Sequence, residues 1–134
     1  MDRLIERLQV AARASQTFRQ ALAAEPTQMD RDASIHRFEY TYEAVWKAAQ
    51  LYLRLTEDLE FASPTSVTRA SYRTGLLSEE AGLTALRMAQ DRNLTVHTYN
   101  EDLANEIYSR LPAYADLMES WLAAMATPAS PTER

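Results

Sequence analysis

Apolar residues recur along this chain with the three-and-four spacing of a helix face, not with the alternation of a strand. Leu4, Leu8, Ala11, Ser15, Phe18 and Leu22 stand 4, 3, 4, 3 and 4 apart, a stripe that runs along a first helix of about five turns or more. Glu25-Pro26-Thr27 ends it. Ile35, Phe38, Tyr42, Val45, Ala49 and Tyr52 repeat the stripe at 3, 4, 3, 4 and 3, so a second helix can pack antiparallel on the first across a short loop. Trp46, Leu51 and Leu53 widen its apolar arc, as a helix touching more than one neighbour requires.

Start and stop signals divide the rest. Ser63 can cap free backbone N–H groups and Pro64 is tolerated at the first helical position, while Gly75 supplies a stop, so the third helix is short. Ser78-Glu79-Glu80 opens a fourth helix with acidic residues at its positive end, and it runs through Leu83 and Leu86 toward Arg92. Thr98 with Glu101 three residues on reads as a capping box for a fifth helix, with Asn100 as a rival cap. That helix carries Leu103, Ile107, Tyr114, Met118, Trp121 and Met125, and Pro112 is expected to kink or briefly end it. The pattern predicts an all-α, antiparallel up-and-down bundle of four long helices and one short one. Residues 1–126 form the bundle, and 127–134, with Pro128 and Pro131, read as a flexible tail.

Composition narrows the class. A chain of 134 residues fits one domain with a real core. Two glycines, no cysteine and 46% hydrophobic residues point to a helical soluble protein without disulfides or thiolate metal sites. No apolar run approaches the roughly 20 residues of a membrane-spanning helix, and the N-terminus lacks a signal-peptide pattern, so a cytoplasmic location is expected. The net charge of −5 opposes a whole-surface grip on nucleic acid. Residues 63–99 carry a net +1 and residues 100–134 a net −4, so any RNA contact should be local.

Candidate chemistry concentrates in Asp91-Arg92-Asn93-Leu94-Thr95-Val96-His97-Thr98-Tyr99. Arg92 is a permanent cation able to clamp a phosphate, and His97 belongs to the residue type that gives and takes protons near neutrality. On one unbroken helix the two would diverge by about 140°. A junction over residues 93–98 removes that difficulty, leaving Arg92 at one helix end and His97 just before the next helix's N-terminus. Asp91 is placed to steady the Arg92 guanidinium, and Asn93 to hold His97 or phosphate. Arg69 and Arg73, four apart on the third helix, read equally as a solvated stripe or a phosphate-tracking pair. His36 reads as a surface residue, and Trp46 and Trp121 as core. No glycine-rich phosphate loop, metal-ligand spacing or nucleophile elbow is present, so neither a metal nor a cofactor is expected and nucleotidyl transfer would need a partner's machinery.

The Arg92–Tyr99 string resembles the R-x4-H-x-Y signature of HEPN-domain proteins, in the branch described as nucleotidyltransferase substrate-binding proteins and paired with minimal (MNT) nucleotidyltransferases. Arg37-Phe38-Glu39-Tyr40-Thr41-Tyr42-Glu43-Ala44-Val45-Trp46-Lys47 resembles that family's second-helix segment, and Ser63-Pro64 followed by Arg69, Tyr72 and Gly75-Leu76 its third; together they cover about residues 35–111. The resemblance implies a homodimer with two motifs meeting across a cleft, and a metal-independent ribonuclease acting as a toxin. His97 would be the general acid or base, Arg92 the transition-state clamp, and Asn93, Arg69 and Arg73 substrate contacts. It further implies that a cognate MNT nucleotidyltransferase silences the toxin by adding AMP to Tyr99. Two other readings stand beside it: a non-catalytic subunit that presents substrate to a nucleotidyltransferase, and a plain helical interaction module.

Overall fold

The computed structural model describes residues 2–127, and among them every regular element is helical: α1 (Asp2–Leu22), α2 (Gln28–Glu57), α3 (Pro64–Arg73), α4 (Glu79–Leu94) and α5 (Glu101–Ala126), with one 3-10 turn over Thr95–His97. Four longer helices and one short one form an all-α bundle. The expected tail over 127–134 lies outside the described residues except for Thr127.

Local chemistry sets the boundaries. Thr27, Ser63 and Ser78 have extended backbones, and each side-chain oxygen accepts a backbone N–H three residues on, satisfying a donor that the first helical turn leaves free. After α3, Gly75 adopts φ +86°, a left-handed conformation that a side chain would strain. At α5 the rival cap wins: the Asn100 side chain accepts the Leu103 N–H at 3.1 Å, while the Thr98 hydroxyl instead donates to the Thr95 carbonyl at 3.0 Å. Thr98 is spent on closing the 3-10 turn, so the expected capping box does not form. Pro112 neither ends nor divides α5, which runs through it.

α1 and α2 form a hairpin, and α5 lies against both. The predicted stripes supply their shared core: Ala11 and Phe18 from α1, Ile35, Phe38, Tyr42 and Val45 from α2, and Ile107, Tyr114, Met118 and Trp121 from α5 are all buried. Phe38 stacks on Tyr114 with ring centroids 5.6 Å apart, a contact that adds about 1 kcal/mol to simple burial. The α3–α4 hairpin packs through α3 on α2 and through α4 on α5. At the end of the bundle nearest the motif, buried Arg31 of α2 donates to Glu101 at 2.7 Å and to Asn105 at 3.0 Å, pinning the first turns of α5 to α2. Arg31, through that hydrogen bond, holds the Glu101 carboxyl below its usual range.

Candidate functional site

The way α4 ends decides where each motif side chain goes. The Thr95 hydroxyl donates to the Arg92 carbonyl at 2.7 Å and accepts from Arg92 Nη1 at 3.2 Å, tightening the last turn into the 3-10 turn of residues 95–97. Arg92 is thereby held at the end of α4 with a side chain 25% exposed. It faces α2, with Nη1 3.5 Å from Glu39 and Nε 3.6 Å from Glu43. The two carboxylates are one turn apart on α2 and so share a face. Arg92 and Asn93 line an open cleft of about 200 Å³ with Tyr42, Glu43, Pro64 and Thr65. The Tyr42 hydroxyl is buried there without a hydrogen-bond partner, and burial, followed by the nearby Glu43 charge, raises its phenol well above the usual range while Arg92 pulls the other way.

Asp91 does not steady Arg92. One step along a helix turns a side chain by about 100°, which sends Asp91 into the core, where its carboxylate takes Arg110 Nε at 2.7 Å, Arg110 Nη2 at 2.9 Å and the Tyr114 hydroxyl at 2.5 Å. Burial, then the bond to Asp91, raises the Tyr114 phenol, and hydrogen bonding to Asp91 raises the Arg110 guanidinium. This triad ties α4 to α5 directly beneath the motif.

His97 and Tyr99 go the other way, outward. The His97 imidazole is exposed and meets the edge of the Tyr99 ring with centroids 6.0 Å apart. Tyr99 is 83% exposed. Neither lines the Arg92 cleft. A junction does separate Arg92 from His97, but it lies over residues 95–100, two residues later than expected, because Asn93 and Leu94 stay in α4, and within one chain Arg92 is turned toward two carboxylates while His97 and Tyr99 stand at the surface. Val96 and Leu94, beside them, are exposed apolar residues.

Arg69 and Arg73 occupy a third place. Both are exposed on α3, and Arg69 lines a mostly apolar groove with Tyr72, Gly82, Leu83 and Leu86, apart from the Arg92 cleft. No group of three or more His, Cys, Asp or Glu side chains among the described residues is arranged to hold a metal ion.

A family model described as "Nucleotidyltransferase substrate binding protein like" matches residues 6–127. The chain belongs to the nucleotidyltransferase substrate-binding family. Its fold is similar to that of a crystal structure from Thermus thermophilus, at 50% identity and a TM-score of 0.85, over 87% of this chain and 99% of that one. It is also similar, at 19% identity and a TM-score of 0.72, over 90% of this chain and 99% of the other, to a Haemophilus influenzae protein described as having the fold of a substrate-binding domain of a nucleotidyltransferase. No curated protein matches. In this member of the substrate-binding family, Glu39 and Glu43 belong to the site through Arg92, although sequence reasoning assigned them no role. The available signal was their spacing of four in the otherwise core-forming run Phe38–Trp46, which sets both carboxylates on one edge of α2.

Proposed function

We propose that this chain is the binding subunit of a two-component nucleotidyltransferase and offers the 3-10 turn and the start of α5 to its partner's active centre, with Tyr99 as the group presented. Family membership supports the partnership. The observation that carries the choice of Tyr99 is its 83% exposure at a helix junction held from beneath by the Asp91–Arg110–Tyr114 triad. A phenol so placed reaches a second protein's cleft without any rearrangement of the bundle. AMP transferred to it would add a bulky anion beside His97.

This reading makes the transfer chemistry the partner's. Arg92 then draws the nucleotide's phosphates toward the junction and His97 positions the Tyr99 ring, while a base of the partner's active centre takes the proton as the phenol oxygen bonds to the α-phosphorus and pyrophosphate leaves. The test is to incubate the chain with a nucleotidyltransferase encoded beside it, ATP and magnesium, and to map the product by peptide mass. Adenylate on Tyr99, absent from Tyr99→Phe, is expected; adenylate only on another tyrosine, or none, removes Tyr99 from this role.

The second reading, an HEPN-type ribonuclease toxin, has its own observation in the exposed His97. A two-fold homodimer would bring two His97 imidazoles and two Arg92 clefts together, supplying an acid, a base and two clamps. In either reading a phosphate at Arg92 would have to displace Glu39 and Glu43, which already face it with negative charge. Cleavage of RNA that survives EDTA and falls about 100-fold or more in His97→Ala would favour it.

A further inference from the structure

On the α1–α2 hairpin, four cations from two helices line one groove: Arg3 and Arg7 of α1, and Lys47 and Arg54 of α2. Among the described residues Glu60 is the only carboxylate lining it, and Phe61 stands beside Glu60 in its wall. The groove has a volume of about 210 Å³, space for roughly seven waters at about 30 Å³ each. Arg3, Arg7 and Lys47 also line a second cavity of about 410 Å³ along the same helices, where Glu6 and Glu43 stand with them.

Arg19 is paired with Asp116 and Glu119, Arg31 with Asp32 and Glu101, Arg92 with Glu39 and Glu43, and Arg110 with Asp91. Among the described residues, Arg3, Arg7 and Arg54 take part in no ion pair within 4.0 Å, and Lys47 reaches Glu43 only at 3.9 Å. Among the same residues Arg13, Arg37, Arg69, Arg73 and Arg87 also take part in no ion pair within 4.0 Å, so the groove arginines are set apart by converging with Lys47 on one cavity, not by being unpaired. Like charges four apart on a helix, as Arg3 and Arg7 are, cost a few tenths of a kcal/mol in the free protein. In a chain with net charge −5, a groove lined by four cations and one carboxylate is a local reversal of the field.

We infer that this groove binds a short chain of phosphoryl groups, the phosphates of a nucleoside triphosphate or of a single RNA strand. Planar guanidinium groups on both helices suit paired phosphate oxygens, and the small volume suits dense charge. An acidic peptide would have to bring its backbone as well, since its carboxylates ride on separate residues. The inference does not depend on the role of Tyr99.

The test is calorimetric titration of the full chain at low salt with tripolyphosphate, ATP, a ten-nucleotide RNA, adenosine and hexaglutamate. Arg7→Ala with Lys47→Ala should weaken phosphate binding by about tenfold or more. Arg3→Ala with Arg54→Ala should do the same from the other end. Arg13→Ala with Arg87→Ala, exposed elsewhere, should leave binding unchanged. Circular dichroism checks that each variant is folded, and alanine in exposed helical positions favours that. Equal binding of tripolyphosphate and ATP identifies a free phosphate chain. Binding of RNA alone, falling by about 0.7 logarithmic units per phosphate for each tenfold rise in salt, identifies a strand. No binding of any phosphate at millimolar concentration, tightest binding by adenosine or hexaglutamate, or affinity untouched by both groove pairs overturns the inference.

Discussion

Asp91 and Arg92 are neighbours in the chain and opposites in the structure. Asp91 is buried, and all three of its hydrogen bonds are between 2.5 and 2.9 Å. Arg92 keeps a quarter of its side chain in solvent and stands 3.5 and 3.6 Å from its two carboxylates. Short, aligned bonds in a dry place fix α4 against α5, whereas long contacts in a wet cleft leave a cation that another anion can claim. A charged residue's role here follows from which side of the helix it leaves, and the motif depends on the neighbour that is not part of it.

The largest effect should therefore come from the residue outside the motif. Breaking a buried ion pair from one side costs about 3–5 kcal/mol, and because Arg110 is part-exposed and can turn to water, Asp91→Ala should fall near the low end, about 3 kcal/mol. Arg92→Ala should cost less, about 1 kcal/mol, because its two half-buried ion pairs are long and its Nε makes no hydrogen bond. Denaturant melts of the two variants decide this; equal losses would erase the distinction between anchor and available cation.

A smaller loss sharpens the same comparison and adds a pH signature. Tyr114→Phe removes a hydrogen bond to a buried charged group, worth about 1.5–3 kcal/mol. The Tyr114 and Tyr42 phenols are both raised in the folded state. The folded protein therefore holds these protons longer than the unfolded chain, and their contribution is full below about pH 10 and is lost as pH rises beyond it. Tyr114→Phe should flatten that alkaline decline in part, with Tyr42 supplying the remainder. An unchanged slope between pH 9 and pH 11, as approximate limits set by the ordinary phenol value, would separate Tyr114 from the triad's energetics.

Such distinctions also mark what could be read in the chain beforehand. The stripes from Leu4 to Leu22 and from Ile35 to Tyr52 identified two helices and most of their buried faces, because burial follows a period that short-range spacing expresses. Ser63, Gly75 and Ser78 marked the boundaries of α3 and the start of α4 correctly for the same local reason. Asp91 was misassigned because its partners lie 19 and 23 residues away on α5, a pairing set by how α4 and α5 pack. Thr98 and Asn100 are both good caps, and only the 3-10 turn's use of Thr98 decides between them. The Arg92–His97 spacing required a junction between the two residues, but it carried no information about Glu39 and Glu43, which meet Arg92 only in the folded bundle.

The junction itself should yield at the next level down. Asn100→Ala deletes the cap on α5 and should cost about 1 kcal/mol. Its effect should be local, since Arg31 still holds Glu101 and Asn105. Hydrogen exchange should quicken at the Leu103 amide and its neighbours while the core around Phe38 and Tyr114 keeps its protection. Uniform loss of protection would mean that the cap supports the whole bundle and that the junction is no separate unit.

The smallest expected change in stability is the most informative about function. Tyr99 is 83% exposed, and its ring touches the His97 imidazole edge-on at a centroid distance of 6.0 Å. Tyr99→Phe keeps the ring and removes only a solvated hydroxyl, so stability should stay within about 0.5 kcal/mol of the parent. If melting and exchange are unchanged while nucleotide transfer by the partner enzyme is abolished, the hydroxyl is there for presentation and not for packing. A clear loss of stability would show that Tyr99 behaves like Asp91 instead, as part of the support, and the division between buried anchor and exposed junction would have to be redrawn around it.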